Sequence, residues 1–311
     1  MDIEKYNELQ KKLKRKNKRF NSISRIIILI LLVPTIIFAV MVKLPMPLII
    51  FILFFELIIA FIVLAIIRSF SSGDEIEQLN KLYPKIKEEA VLKSLKKYFT
   101  NVTYNSIKGF RASFIREEGL LSTGDRYSSN DSISATYNNI NFCQSDIHIE
   151  EERKEEDEDG NVRTYYETVF RGRWMVFDFN KKFKSNLIVQ YGYFPNLIYG
   201  KEYVNVETED VEFNNIFGVY AEDEHEAFYI LTPNFMEKLK NIHKKLQNHG
   251  IRLLFNDNKL HIGLNGSDDA FEFLELEEIS EEKLKTTMES DIRLIIDFID
   301  ELDLTNDLFK R

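Results

Sequence analysis

The chain has 311 residues, 44% apolar and 29% charged, with 12 Gly, 6 Pro and a single Cys, which excludes collagenous, mucin-like and wholly disordered chains. One Cys also excludes an internal disulfide or a Cys-rich zinc module, and it fits a reducing compartment. The formal charge of −9 hides a split: residues 1–25 hold nine Lys/Arg against three acids, 26–67 hold only Lys43 and Glu56, and 68–311 hold 31 basic against 46 acidic groups. So acidic a body repels a phosphate backbone, and no nucleic acid is expected as a partner.

Two apolar runs, 26–42 and 48–67, follow the basic tail and are joined by Lys43-Leu44-Pro45-Met46-Pro47. A helix needs about 20 residues to cross about 30 Å of hydrocarbon, and backbone amides cut off from water must be satisfied within it. The runs therefore predict an antiparallel transmembrane hairpin, with Pro34 kinking the first span. A secretory signal would end in a small-x-small cleavage site, and none closes the first run. Basic residues crowd 11–19 and recur at Arg25 and Arg68, whereas the connecting loop holds Lys43 alone. The positive-inside rule then places both termini in the cytoplasm of a two-span membrane protein. The lipid bilayer is its first partner, and the tail is read as an orientation signal near anionic lipid.

Glu56 is the expensive residue of the hairpin. A carboxylate near the centre of a span costs about 2.5–3.5 kcal/mol on insertion scales, so it is expected to be protonated, paired or turned toward another helix. One reading bonds it to Thr35 or to the carbonyl freed by Pro34. The other makes Glu56 part of a proton or ion path in an oligomer.

Beyond the hairpin, Ser69 to Gly73 reads as a polar hinge with Asp74 as an N-cap. Apolar steps at Ile76, Leu79, Tyr83, Ile86 and Ala90, then Leu92, Leu95 and Phe99, predict a juxtamembrane helical segment over 68–100, broken at Pro84. Residues 101–311 form the cytoplasmic domain. Its candidate strands are 132–137, 141–151, 162–180 (one or two), 184–191 and 202–208. The Gly/Ser/Asn-rich stretch 120–131 is expected as a mobile loop. Residues 150–159 carry eight acidic groups before Gly160-Asn161. They read as a hairpin tip rather than a calcium loop, because the twelfth position counted from Glu155 is Tyr166 instead of Glu.

Thr232-Pro233 opens a helix whose apolar positions Phe235, Leu239, Ile242 and Leu246 run to a stop at His249-Gly250. Alternation over 251–255 and 260–264, around Asn256-Asp257-Asn258, predicts a β-hairpin. A further strand at 271–274 precedes a closing helix from Glu281 to about Leu302, with an apolar stripe of Leu284, Met288, Ile292, Ile295, Ile299 and Leu302. The fold class is thus α+β: a two-helix transmembrane hairpin, then a mixed, mainly antiparallel sheet with flanking helices.

Three blocks carry a family resemblance. Glu212-Phe213-Asn214-Asn215-Ile216-Phe217-Gly218-Val219-Tyr220 is followed by Asp223 and by Ala227-Phe228-Tyr229-Ile230-Leu231-Thr232-Pro233-Asn234-Phe235-Met236. Upstream stand Phe170-Arg171-Gly172-Arg173-Trp174 and Phe177-Asp178-Phe179, and downstream the hairpin around 256–260. Together they resemble the bacterial family called domain of unknown function 3137 over about residues 160–276. The resemblance implies an N-terminal membrane hairpin and a bacterial source, and it carries over no catalytic residue, substrate or cofactor.

A search for chemistry finds little. His225-Glu226 opens a His-Glu-x-x-His pattern, but Tyr229 stands where the second zinc ligand belongs. No nucleophile elbow, phosphate loop or dinucleotide fingerprint occurs. Cys143 reads as a packed thiol, since His148, five residues on along a strand, projects from the opposite face. Trp174 reads as core packing or as the wall of a groove. Asp223 and His225 remain weak catalytic candidates between a strand and a helix. No cofactor and no metal is expected. The leading expectation is a non-enzymatic binding module with a protein partner or a second copy of itself. The alternatives are a membrane-bound hydrolase or transferase using Asp223 and His225, and the oligomeric path through Glu56.

Overall fold

The computed structural model describes residues 2–118, 121–156, 160–179, 182–192, 203–246, 249–273 and 279–305. The chain divides into two compact units, Met1–Ile86 and Lys87–Arg311.

The first unit is a long helical hairpin. Helix α1 (Ile3–Val42) is unbroken, so the basic tail and the first apolar run form one rod with Pro34 inside it. Lys43 adopts φ 54°, and the Leu44 amide donates back to the Ala39 carbonyl at 3.0 Å. This left-handed cap closes the helix and turns the chain. Helix α2 (Met46–Leu95) follows and contains Pro84. The hinge expected at Ser69 to Gly73 and the break expected at Pro84 are therefore absent from its backbone. A proline removes one helical donor and strains the preceding turn, which the bonds on either side tolerate here. Near the open end of the hairpin, Lys12 and Lys16 reach Glu75 at 2.9 and 2.7 Å. Both ammonium groups hold the Glu75 carboxyl down to about 2.

The second unit is built on one sheet. Its strands are β1 (Thr100–Asn105), β2 (Arg126–Tyr137), β3 (Ile140–Glu156), β4 (Val162–Asp178), β5 (Leu187–Tyr191), β6 (Val204–Asn205), β7 (Gly218–Ala221), β8 (Gly250–Asn256) and β9 (Lys259–Asn265). They lie in the order β1-β2-β3-β4-β9-β8-β5-β7-β6, antiparallel at every pairing. The short helices α3 (Ala112–Glu117), α4 (Val211–Ile216) and α5 (Glu224–Ile230) and the longer α6 (Pro233–Leu246) and α7 (Glu281–Glu301) complete it.

Several expectations shift. Arg126–Asp131 is strand rather than loop, because its Ser and Asn backbones extend the ladder with β3 as far as Arg126 opposite Glu150. Residues 162–178 are one strand, not two. Phe271–Phe273 are not strand, while position 274 lies outside the described residues, as do 180, 202 and Asp157 to Asp159.

Strand alternation gives the sheet two faces. One carries Phe142, Met175, Phe177, Leu253, Phe255 and Ile262, all buried. It is covered by α6 and α7, with Phe235 edge-on to Phe255 at 5.8 Å. Leu284, Met288, Ile292, Ile295, Phe298 and Ile299 of α7 are also buried, each contributing about 1.5–3 kcal/mol. The opposite face carries Ile147, Ile149, Phe170, Trp174, Val176, Ile188 and Leu254, against which Ile115 of α3 and Leu121 pack. There the Trp174 ring lies over Gly263, where an added Cβ would come within 2.3 Å of it. Past the end of β2 and β9, residues 151–156 and 162–167 pair only with each other, forming a two-stranded ribbon with Arg126 stacked on Tyr166.

Candidate functional site

Within the first unit, the Thr35 hydroxyl donates to Glu56 Oε1 at 2.6 Å and also lies 3.1 Å from the Leu31 carbonyl. Glu56 Oε2 is buried with no hydrogen-bond partner. The pair lines an open cleft of about 370 Å³ with Pro34, Phe38, Ala39, Leu44, Ile49 and Ile52. Thr35 is thus the partner that one reading of the sequence assigned to Glu56.

In the second unit, Asp223 and His225 sit at the exposed start of α5. The Asp223 carboxylate accepts from the His225 amide at 2.9 Å as the helix N-cap, a local role of the kind its residue type favours. Glu226, next to them, accepts from the amides of Lys184 and Ser185 and from the Ser185 hydroxyl, between 2.8 and 3.1 Å. Trp174 is fully buried on β4, four strand positions away from β7, or about 19 Å at 4.8 Å per strand. The structure therefore does not bring Trp174 together with Asp223 and His225. Cys143 and His148 alternate onto opposite faces of β3, and burial pushes the Cys143 thiol up to about 11, away from the reactive thiolate. Glu155 lies opposite Arg163 in the ribbon. No cluster of three or more metal-ligating His, Cys, Asp or Glu side chains occurs among the described residues.

Charged and polar groups converge instead inside the sheet, where sequence reading placed none. On the α7-covered side, Lys87 of α2 pairs with Asp131 of β2 at 2.8 Å and with Glu272. The Tyr104 hydroxyl donates to the same Asp131, which sits at φ 53° in an irregular stretch of the β2–β3 ladder. Burial raises the Asp131 pKa although Lys87 and Tyr104 oppose it. For Lys87, burial acts downward, and Asp131 with Glu272 outweighs it. One strand further, Asp146 accepts from the Ala270 amide at 2.5 Å, and burial pushes its carboxyl up to about 8. Arg173 of β4 pairs with Asp291 of α7. Breaking one member of such a buried pair strands a charge, at a cost of about 3–5 kcal/mol.

The other face holds polar groups of a different kind. His261 is fully buried between Val176 and Leu254 in register. Neither of its ring nitrogens has a partner, and burial holds its pKa down to about 3. The Trp174 indole nitrogen and the Ser145 hydroxyl are likewise without partners. Arg252 bonds Gln190 at 2.7 and 3.0 Å, with burial lowering its pKa to about 10. The signal that could have found these residues is a polar side chain interrupting an apolar strand, as Arg173 does within 169–177 and His261 within 260–264.

Fold and termini together define a class: an antiparallel α+β domain preceded by two apolar helices of membrane-spanning length. Within it, residues 168–304 match the model of the family described as "Protein of unknown function (DUF3137)". No curated protein matches the chain. A solved structure described as the "crystal structure of the mycobacterial trehalose monomycolate transport factor A, TtfA" aligns at 6% identity. The alignment covers 70% of this chain and 95% of that one, with a TM-score of 0.40.

Proposed function

We propose that this is a two-span protein of the bacterial cell membrane, with both termini in the cytoplasm. Its acidic α+β domain would act there as a binding module for a basic protein partner or for a second copy of the chain. The observation that carries the reading is the inverted surface of the first unit. Its two most apolar windows have mean hydropathies of 2.4 and 3.2, yet each is only 6% buried. Monomers in water rarely expose apolar area on that scale, and a bilayer covers it. The basic flanks support the orientation, and the excess of 46 acidic over 31 basic groups in 68–311 supports a basic partner.

Protease added outside intact cells is expected to leave the carboxyl-terminal domain whole and to digest it once the membrane is opened. Digestion in intact cells, or full-length protein that stays dissolved without detergent, overturns the membrane reading. Cross-linking in detergent extracts followed by mass spectrometry is expected to recover a stoichiometric partner or a dimer. A monomer in every condition removes the binding-module reading.

A further inference from the structure

Asp146 and Arg173 stand directly opposite each other across β3 and β4, where side chains on one face approach to about 4.5–5.5 Å between Cβ atoms. They are nonetheless bonded elsewhere. Asp146 Oδ2 accepts from the Ala270 amide at 2.5 Å. Arg173 Nη2 donates to Asp291 Oδ1, whose other oxygen takes the Phe271 amide at 2.7 Å. Left over between them are Asp146 Oδ1 and Arg173 Nε and Nη1, buried and without partners, beside a Gln144 amide in the same condition. The strap that Asp146 and Asp291 hold is strained, because Phe271 lies at φ 59°, a costly backbone for a bulky residue.

We propose that Asp146 and Asp291 compete for the Arg173 guanidinium, making a proton-operated latch on the strap 266–273. With Asp146 neutral, Arg173 stays on Asp291, and Asp291 holds the Phe271 amide in place. When Asp146 releases its proton to solvent, its free oxygen draws Nε and Nη1 across, and the bond to α7 weakens. Two discrete arrangements of one guanidinium, biased by one proton, make the bistable element such a switch requires. The surrounding charges set the balance. Asp131 on β2 and Asp269 in the strap oppose the Asp146 anion, while Arg173 favours it. Lys87 and Tyr104 engage Asp131, and Glu272 engages Lys87. Burial raises the Asp146 carboxyl to about 8, and the latch turns over as that group titrates.

Trp174, adjacent to Arg173, is the single tryptophan of the chain, so its fluorescence reports this part of the sheet alone. The full chain in detergent is titrated from pH 6.5 to 9.5, a range set about the Asp146 value by the usual spread of one site. A single sigmoid is expected. Asp146→Asn, which keeps an acceptor for the Ala270 amide, is expected to flatten it. Asp291→Asn, which removes the competitor, is expected to lower the midpoint by about one pH unit. A flat wild-type titration, or a sigmoid that persists in Asp146→Asn, overturns the latch. Should Asp146→Asn fail to fold, a midpoint in Asp291→Asn that is unchanged or raised does the same.

Discussion

The apolar hairpin and the sheet domain sort the same residues in opposite directions. In the two apolar runs, Phe38, Phe54 and Phe61 are 59–75% exposed, while among the described side chains there Ala39 and Ala60 are the buried ones. In the sheet domain Phe170, Phe177 and Phe255 are buried, and ion pairs such as Arg153 with Glu167 lie outside. Helices in lipid touch through small residues and turn large ones toward acyl chains, whereas a core in water hides its largest side chains. The hairpin shows the first pattern and the sheet domain the second, which is the contrast the proposed membrane reading expects. The same test explains why one concealed carboxyl in each region stands out, since Glu56 and Asp146 each keep an oxygen without a partner.

Three substitutions sharpen or break this comparison. Trp174→Ala empties a fully buried, closely packed position of the sheet and is expected to destabilise the domain by about 3–5 kcal/mol, read as a lowered denaturant midpoint. A loss below about 1 kcal/mol would mean that the indole over Gly263 is not part of the core. Ile59, 58% exposed in the second apolar run, is the converse case. Ile59→Lys is expected to cost about 3 kcal/mol in an insertion assay, although lysine at a water-facing position costs almost nothing. An unchanged insertion efficiency would place that surface in water. The smallest effect is expected at Asp223→Ala, about 1 kcal/mol of stability through the lost cap of α5. A several-fold larger loss would show that the corner does more than begin a helix.

How far the fold was legible depends on how local each signal is. The apolar runs, the stripe of α7 and the hairpin of β8 and β9 all announce themselves within one window of sequence, and the structure has them. Residues 126–131 carry no such signal. Their Ser and Asn side chains suit a loop, and only pairing with β3, from Arg126 with Glu150 to Asn130 with Asp146, makes them a strand. Pro84 and Ser69 to Gly73 suggest breaks by local preference, which the continuous α2 overrides. The buried polar groups were the least legible. Asp146 meets Arg173 across 27 positions, and Arg173 meets Asp291 across 118. No window holds both partners, so beyond the interruption of an apolar strand by Arg173 nothing local points to their convergence. Asp223 was visible as a residue type, but its capping bond to the His225 amide was not, because the same carboxylate type suits a cap or a catalytic site.

The ribbon that β3 and β4 extend past the sheet offers a practical opening. Its six cross-strand pairs project about 20 Å at 3.3 Å per residue. It is held by its own ladder and by contacts such as Arg126 on Tyr166 rather than by a core. For an added side chain at Gly160, which lies at φ 81° before β4, the nearest atom among the described residues is the Glu156 carboxylate at 3.9 Å. A short epitope spliced in there should leave every packed layer untouched, giving a handle by which the protein can be pulled from living cells together with whatever it holds.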